Sequence, residues 1–101
     1  MRSLKVTVHH HLSKDEAITR IKKLVSNLKH EQKDKISNLH EEWKDGTGTL
    51  HFSAQGFDLS AVVTFHHSSI DIDAKVPFAV YLFKGKIKEV IKTKAEEVLS
   101  V

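Results

Sequence analysis

Residues 49–65 read TLHFSAQGFDLSAVVTF, and they decide the fold because apolar and polar residues alternate on both sides of Gln55-Gly56. The first run places Leu50, Phe52 and Ala54 on one face. The second run places Phe57, Leu59, Ala61, Val63 and Phe65 on one face. A period of two is typical of a strand with one buried face, and a short link containing Gly is typical of a hairpin. This stretch therefore predicts an antiparallel hairpin with one apolar side.

The same period continues on both sides of this hairpin. SLKVTVH at 3–9 and IDIDAKV at 70–76 alternate in the same way. A weaker alternation runs over 38–44 and ends at the turn signal Asp45-Gly46. We therefore expect one strand near the start of the chain and four consecutive strands between about 38 and 76.

Two stretches have helical spacing instead. LSKDEA at 12–17 predicts a helix start, with Ser13 as N-cap and Glu16 completing a capping box. This helix should end near His30, and 31–35 has no periodicity and predicts a solvated connection. Pro77 stands where a first helical residue belongs, so we expect one long helix over 77–99.

The order strand, helix, four strands, helix predicts an α+β domain over 1–101. Each strand has one apolar face, so both helices must cover the same face of a curved antiparallel sheet. This is a two-layer sandwich of the helix-grip or TATA-binding-protein-like class, a fold-level analogy that implies no function.

Composition narrows the classes of function. The chain has 101 residues, a formal net charge of +3 and no cysteine, which excludes disulfides and thiolate zinc sites. No apolar run reaches the ~20 residues of a membrane span, and the start MRSLKVTV lacks the apolar region of a signal peptide. We expect a cytoplasmic protein whose charge permits contact with anionic surfaces without requiring it.

Three consecutive histidines, His9 to His11, raise the question of a metal site. His9 and His11 could share a metal ion if the strand ran that far, with further ligands from the polar face of the sheet. The residues that could supply them are His51, His66 and Asp58. Spacing alone is a weak signal for zinc, so we interpret the run as surface imidazoles and predict no metal.

Catalysis and nucleic-acid binding find little support. Asp71 and Asp73 lie on the solvated face, and no nucleophile stands beside a base, so we predict no enzyme and no cofactor. RNA-binding sheets expose aromatic side chains for base stacking. Here the sheet aromatics are assigned to the helix-facing side, which argues against specific nucleic-acid binding; they are Trp43, Phe52, Phe57 and Phe65.

The last predicted helix has more apolar residues than its core-facing stripe contains. Its predicted core stripe consists of Val80, Phe83, Ile87, Val90, Ile91 and Val98. Phe78, Tyr81 and Leu82 lie off this stripe, and Gly85 continues their line. The lysines around them are Lys84, Lys86, Lys88 and Lys92. This pattern predicts a contact surface for a hydrophobic partner or a second subunit, unless the preceding loop or the 31–37 connection covers it.

The chain resembles a known family. VTVHHHLSKDEAITRIKKLVSNL, EEWKDGTGTLHFSAQGFDLSAVV and IDIDAKVPFAVYLFKGKIKEVI are similar to the polyhydroxyalkanoic acid system family over residues 4–98. The markers in order are His10, Trp43, Gly56 and Pro77. The resemblance implies a small bacterial protein encoded near polyester-storage genes, in a family of which some members are proposed to sit at the granule surface. It implies no catalytic residues.

Two hypotheses follow. In the first, a non-enzymatic accessory protein docks on polyhydroxyalkanoate granules or granule proteins through Phe78, Tyr81 and Leu82, while lysines meet anionic groups. In the second, a carrier or sensor binds a small apolar ligand between the sheet and the last helix, near Trp43, Phe52 and Phe57. A homodimer without a ligand is the third alternative.

Overall fold

A computed structural model describes all 101 residues of the protein. The elements in chain order are β1 (Arg2–His9), α1 (Lys14–Glu31), β2 (Ile36–Lys44), β3 (Thr47–Ala54), β4 (Phe57–Phe65), β5 (Ser69–Val76), α2 (Phe78–Tyr81) and α3 (Lys84–Leu99). The five strands form one antiparallel sheet in the order β1-β5-β4-β3-β2. The predicted α+β class and antiparallel sheet are confirmed. The helix-grip or TATA-binding-protein-like label stays a prediction.

The strand alternation positions the core. Leu4, Val6 and Val8 of β1 are buried, and their cross-strand partners on β5 continue the same face. The larger core cluster joins the sheet to α1 and to the end of α3; it consists of Val6, Val8, Ala17, Ile21, Val63, Phe65, Ile70, Ala95 and Leu99. A smaller cluster of Leu4, Ala74 and Val76 packs against α2 and the start of α3. The helices therefore cover one face, as the pattern predicts.

The start of α1 follows its sequence signal in part. The Ser13 hydroxyl accepts a hydrogen bond from the Glu16 amide at 3.1 Å, which confirms the N-cap. The Glu16 carboxylate pairs with Arg20 at 3.1 Å instead of returning to the cap. The capping box is therefore half formed, because a guanidinium one turn along competes for the carboxylate.

The last helix departs from its prediction. The chain turns at Leu82 and Phe83, so 77–99 holds two helices and not one, and Pro77 is the N-cap of α2 and not its first helical residue. A single helical projection fails across this break. Phe83 and Val90, assigned to the core stripe, are 67% and 54% exposed, whereas Ala95 and Leu99 are the buried positions of α3.

The helices do not cover the whole apolar face. Among the residues of β2 and β3 only Gly48 is buried, and Leu50 and Phe52 remain half-buried. Phe57, expected inside, is 37% exposed because it lies at the first residue of β4, beyond the cover of the helices. The other face of the sheet is polar, with Thr7, Asp71, Thr64 and Thr47 side by side across four strands.

Candidate docking surface

An apolar patch stands on α2 and the turn that follows it. Phe78 is 59% exposed and Leu82 is 66% exposed, and Phe83 continues the surface. Phe78 and Leu82 are four residues apart, and the Leu82 amide donates to the Phe78 carbonyl at 3.2 Å, so the two side chains share one side of this turn. We call Phe78, Leu82 and Phe83 the apolar patch. Large apolar side chains exposed together are uncommon in a monomeric protein and mark contact sites.

Tyr81 holds the patch to the body of the protein. It is half-buried and packs with Val80 and Ile87 against the smaller core cluster. Its ring is approached by Lys84, whose Nζ lies 4.9 Å from the ring centroid and donates to the Tyr81 hydroxyl at 3.4 Å. Tyr81 therefore links the apolar patch to both the core and the first lysine of α3.

Arg2 joins the same surface, and the sequence pattern gave no sign of it. Its guanidinium carbon lies 5.6 Å from the centroid of Phe78 and 5.7 Å from that of Tyr81. Arg2 begins β1 and pairs with Val76, the residue before Pro77, so the sheet register brings it beneath α2. The contact depends on a pairing between residues 74 positions apart, which local patterning does not reveal.

Lysines follow along α3. Lys84, Lys88 and Lys92 are exposed and spaced by four, so they lie on one side of the helix; Lys86 is also exposed. The helix has no acidic residue in its first turn and no side-chain cap, in contrast to α1. A Cβ on Gly85 would have no atom within 4 Å, so no close approach of another residue requires glycine at this position.

The residues of the alternative ligand groove are not brought together. Trp43 packs on Phe65 with ring centroids 6.2 Å apart, and its indole N–H donates to Glu41 at 2.7 Å. Phe52 lines a different groove of about 460 Å³, beside Met1 and His51. Trp43 borders a groove of about 130 Å³ under α1. None of the four main grooves is lined by both the sheet and α3.

The interpretation of the histidine run as three surface imidazoles is wrong for His10, which the strand alternation turns into the core. His9 and His11 are exposed, whereas His10 is 5% exposed and its Nδ1 accepts from the Leu12 amide at 3.1 Å. The Nε2 atom of His10 has no hydrogen-bond partner. No group of three or more His, Asp or Glu side chains is arranged to hold a metal ion.

One polar cluster lies on the open face of the sheet. Asp71 accepts from the Thr7 hydroxyl at 2.7 Å and contacts Nε2 of His66 at 2.9 Å. The Thr7 hydrogen bond, followed by the His66 hydrogen bond, lowers the pKa of Asp71. A carboxylate with a lowered pKa is a weaker proton acceptor than usual, which is the opposite of what general-base catalysis needs.

None of the three helices combines the length and the apolar composition that crossing a lipid bilayer would need.

The comparisons with known proteins concern the whole chain. No curated protein and no solved structure gives a significant match. A family model described as "Putative polyhydroxyalkanoic acid system protein" matches residues 4–99, which is nearly the full length. The chain therefore belongs to this polyhydroxyalkanoic acid system family.

Proposed function

We propose that this protein is a non-enzymatic, cytoplasmic accessory protein of polyhydroxyalkanoate metabolism that docks on the polyester granule through its apolar patch. The observation that carries the proposal is the joint exposure of Phe78, Leu82 and Phe83 at 59%, 66% and 67%. Family membership supplies the polyester context. The absence of a catalytic role is supported by the exposed, low-pKa position of Asp71, the carboxylate in the best-formed polar cluster.

The energetics favour reversible docking. Burying a fully exposed Leu or Phe side chain stabilises by about 1.5–3 kcal/mol, so three partly exposed side chains contribute roughly 4 kcal/mol. That corresponds to a millimolar affinity for the apolar contacts alone. Because these contacts are not screened by ions, part of the binding should survive high salt.

Co-sedimentation with washed polyhydroxyalkanoate granules at low and high salt tests the proposal. The double variant F78S/L82S should lose binding, including the part that persists at high salt. V62S is the matched control, because Val62 is also an exposed apolar side chain but lies on the polar face of the sheet. Equal binding by the wild type and the double variant would overturn the proposal.

A stability measurement tests whether the apolar patch belongs to the surface or to the core. Both side chains are more than half exposed, so F78S/L82S should lower the free energy of unfolding by about 1 kcal/mol or less. A loss of several kcal/mol would show that the patch belongs to the core, and the docking role would then fail.

A second candidate rests on the uncovered part of the sheet. Leu50, Phe52 and Leu59 face the helix side yet remain half-buried, which leaves an apolar area where a small ligand could lie. A carrier or sensor of the helix-grip kind would use this area. The variant L50S/F52S should then lose binding of an apolar probe dye while F78S/L82S retains it, and the reverse result would exclude this role.

A further inference from the structure

We infer that the docking surface recognises the headgroups of anionic phospholipids, so that its target is a negatively charged lipid coat and not bare polyester. This inference rests on the proposed function and names the chemistry that the same surface takes. It is carried by the distribution of charge around the apolar patch.

The segment that carries the apolar patch is basic. Between Asp73 and Glu89 the chain has no acidic residue, and the first turns of α3 hold Lys84, Lys86 and Lys88. Two cations contact aromatic rings at this surface: Arg2 lies over Phe78 of the apolar patch, and Lys84 lies over the adjoining Tyr81.

Two of these lysines are placed unfavourably with respect to the helix dipole. Lys84 and Lys86 stand in the first turn of α3, at the positive end of the helix dipole, where cations are unfavourable. The other long helix follows the favourable rule, with Asp15 and Glu16 in its first turn. Placing cations against a positive helix end lowers stability unless a negative partner compensates it, and an anionic surface is such a partner.

The geometry of Arg2 suits a phosphate group beside an apolar phase. Its guanidinium rests over Phe78 and Tyr81, so its cationic end lies at the edge of the apolar patch. The planar guanidinium can donate two hydrogen bonds to one phosphate. Lysine stems can lie along an apolar layer while their ammonium groups reach headgroups. Bare polyester carries carbonyls and no net charge along the chain, so it would leave these cations without partners.

The test uses the full chain and vesicles. Phosphatidylcholine vesicles are compared with vesicles in which about one third of the lipid is phosphatidylglycerol, and binding is measured by flotation. The triple variant K84Q/K88Q/K92Q, which removes the three lysines on one side of α3, should bind the anionic vesicles about a hundredfold more weakly than the wild type, since each lysine near an anionic surface contributes about fivefold. K29Q/K33Q/K35Q is the matched control, because it removes the same charge from exposed lysines near the end of α1. It should bind within about threefold of the wild type.

Five results would overturn the inference. Equal binding to neutral and anionic vesicles excludes headgroup recognition, and an equal loss in both triple variants shows general charge attraction. Undiminished binding to lipid-extracted granules, without vesicle binding, overturns the lipid preference and leaves the proposed function intact. Binding to neither vesicles nor granules overturns both. A stable dimer that F78S/L82S converts to monomer would assign the patch to a second copy, and would also overturn the inference.

Discussion

Gly48 lies directly against the indole ring of Trp43, its partner across the β2–β3 hairpin. A Cβ at residue 48 would stand 2.3 Å from Cζ3 of that ring, closer than any packing allows. The ring cannot move freely, because Phe65 packs on it and the Lys22 ammonium lies 5.6 Å from its centroid. Residue 48 is glycine because the indole occupies the place of its side chain.

G48A should therefore destabilise the protein. The added methyl group must displace the indole, and overpacking of this kind costs about 2 kcal/mol. Urea unfolding followed by Trp43 fluorescence measures both the loss of stability and the change in the environment of the ring. An unchanged midpoint with an unchanged spectrum would show that the indole does not sit over residue 48.

G85A is the matched substitution for G48A, and it should raise the stability of the protein instead of lowering it. A Cβ at this position meets nothing within 4 Å, and the residue lies in the first turn of α3. Alanine loses less backbone entropy than glycine on entering a helix, so the variant should gain about 0.5 kcal/mol. Thermal unfolding checks the gain, and a loss of stability would mean that α3 does not begin here.

Local pattern was enough to predict the strands, because the alternation of apolar residues states which face is buried. Leu4, Val6 and Val8 are buried as the period of two requires, and Ser13 caps α1 as its sequence indicates. These features depend on neighbours along the chain, so one sequence reveals them.

The features that local pattern did not predict depend on contacts between residues distant in sequence. Phe83 and Val90 had helical spacing with the core residues, yet the break at Leu82 and Phe83 turns them outward. Val80, Tyr81 and Ile87 pack on the cluster of Leu4, Ala74 and Val76, and that packing fixes the directions of α2 and α3. The place of Arg2 beside Phe78 has the same origin in the β1–β5 register. No helical projection contains this information.

Thr7 should control the acidity of Asp71. The Thr7 hydroxyl hydrogen bond is the largest cause of the lowered pKa, so T7V should raise the pKa of Asp71 toward its ordinary value of 3.8. An NMR titration of the carboxyl carbon measures the shift. T64V is the control, because Thr64 flanks Asp71 on the other side and donates no hydrogen bond to it. A rise in T64V of the same size would remove Thr7 from this role.

The sign of the pH effect follows from the direction of that shift. A carboxyl whose pKa is lower in the folded state stabilises the fold above its unfolded pKa, and this contribution is lost as the pH falls through the folded pKa. Stability of the wild type should therefore decline below about pH 4, and T7V should lack part of this decline. Equal acid sensitivity in both proteins would contradict the linkage.

His10 should be a structural residue despite its place in a histidine run. It is buried, and its Nδ1 atom accepts the Leu12 amide hydrogen bond that shapes the entry to α1. H10A removes this acceptor and leaves a cavity, so it should lower the free energy of unfolding by about 3 kcal/mol. The neighbouring H11A, which truncates an exposed ring, should change it by about 0.5 kcal/mol or less. A loss in H10A as small as the one expected for H11A would contradict the buried position of His10.

Arg20 should fasten the end of α3 to α1. Its Nη1 atom donates to the Val98 carbonyl at 3.2 Å and to the Ser100 carbonyl at 2.7 Å, while its Nε atom donates to Glu16. These groups are partly solvated, so R20A should cost only about 1 kcal/mol of global stability. The local effect should be larger, because the last turn of α3 loses the donors that satisfy its free carbonyls.

Hydrogen exchange over residues 95–101 measures that local effect. R20A should lower protection there, and K23A, which truncates a neighbouring exposed lysine on α1, should not. R20K should restore little of this protection, since one ammonium group cannot replace a guanidinium whose N–H groups donate to Glu16, Val98 and Ser100 together. Arg20 lies at the opposite end of α3 from the apolar patch, so granule and vesicle binding should remain at the wild-type level in R20A. Loss of binding in R20A with the fold intact would show that docking depends on how α3 is held at its far end, and not on the patch and its lysines alone.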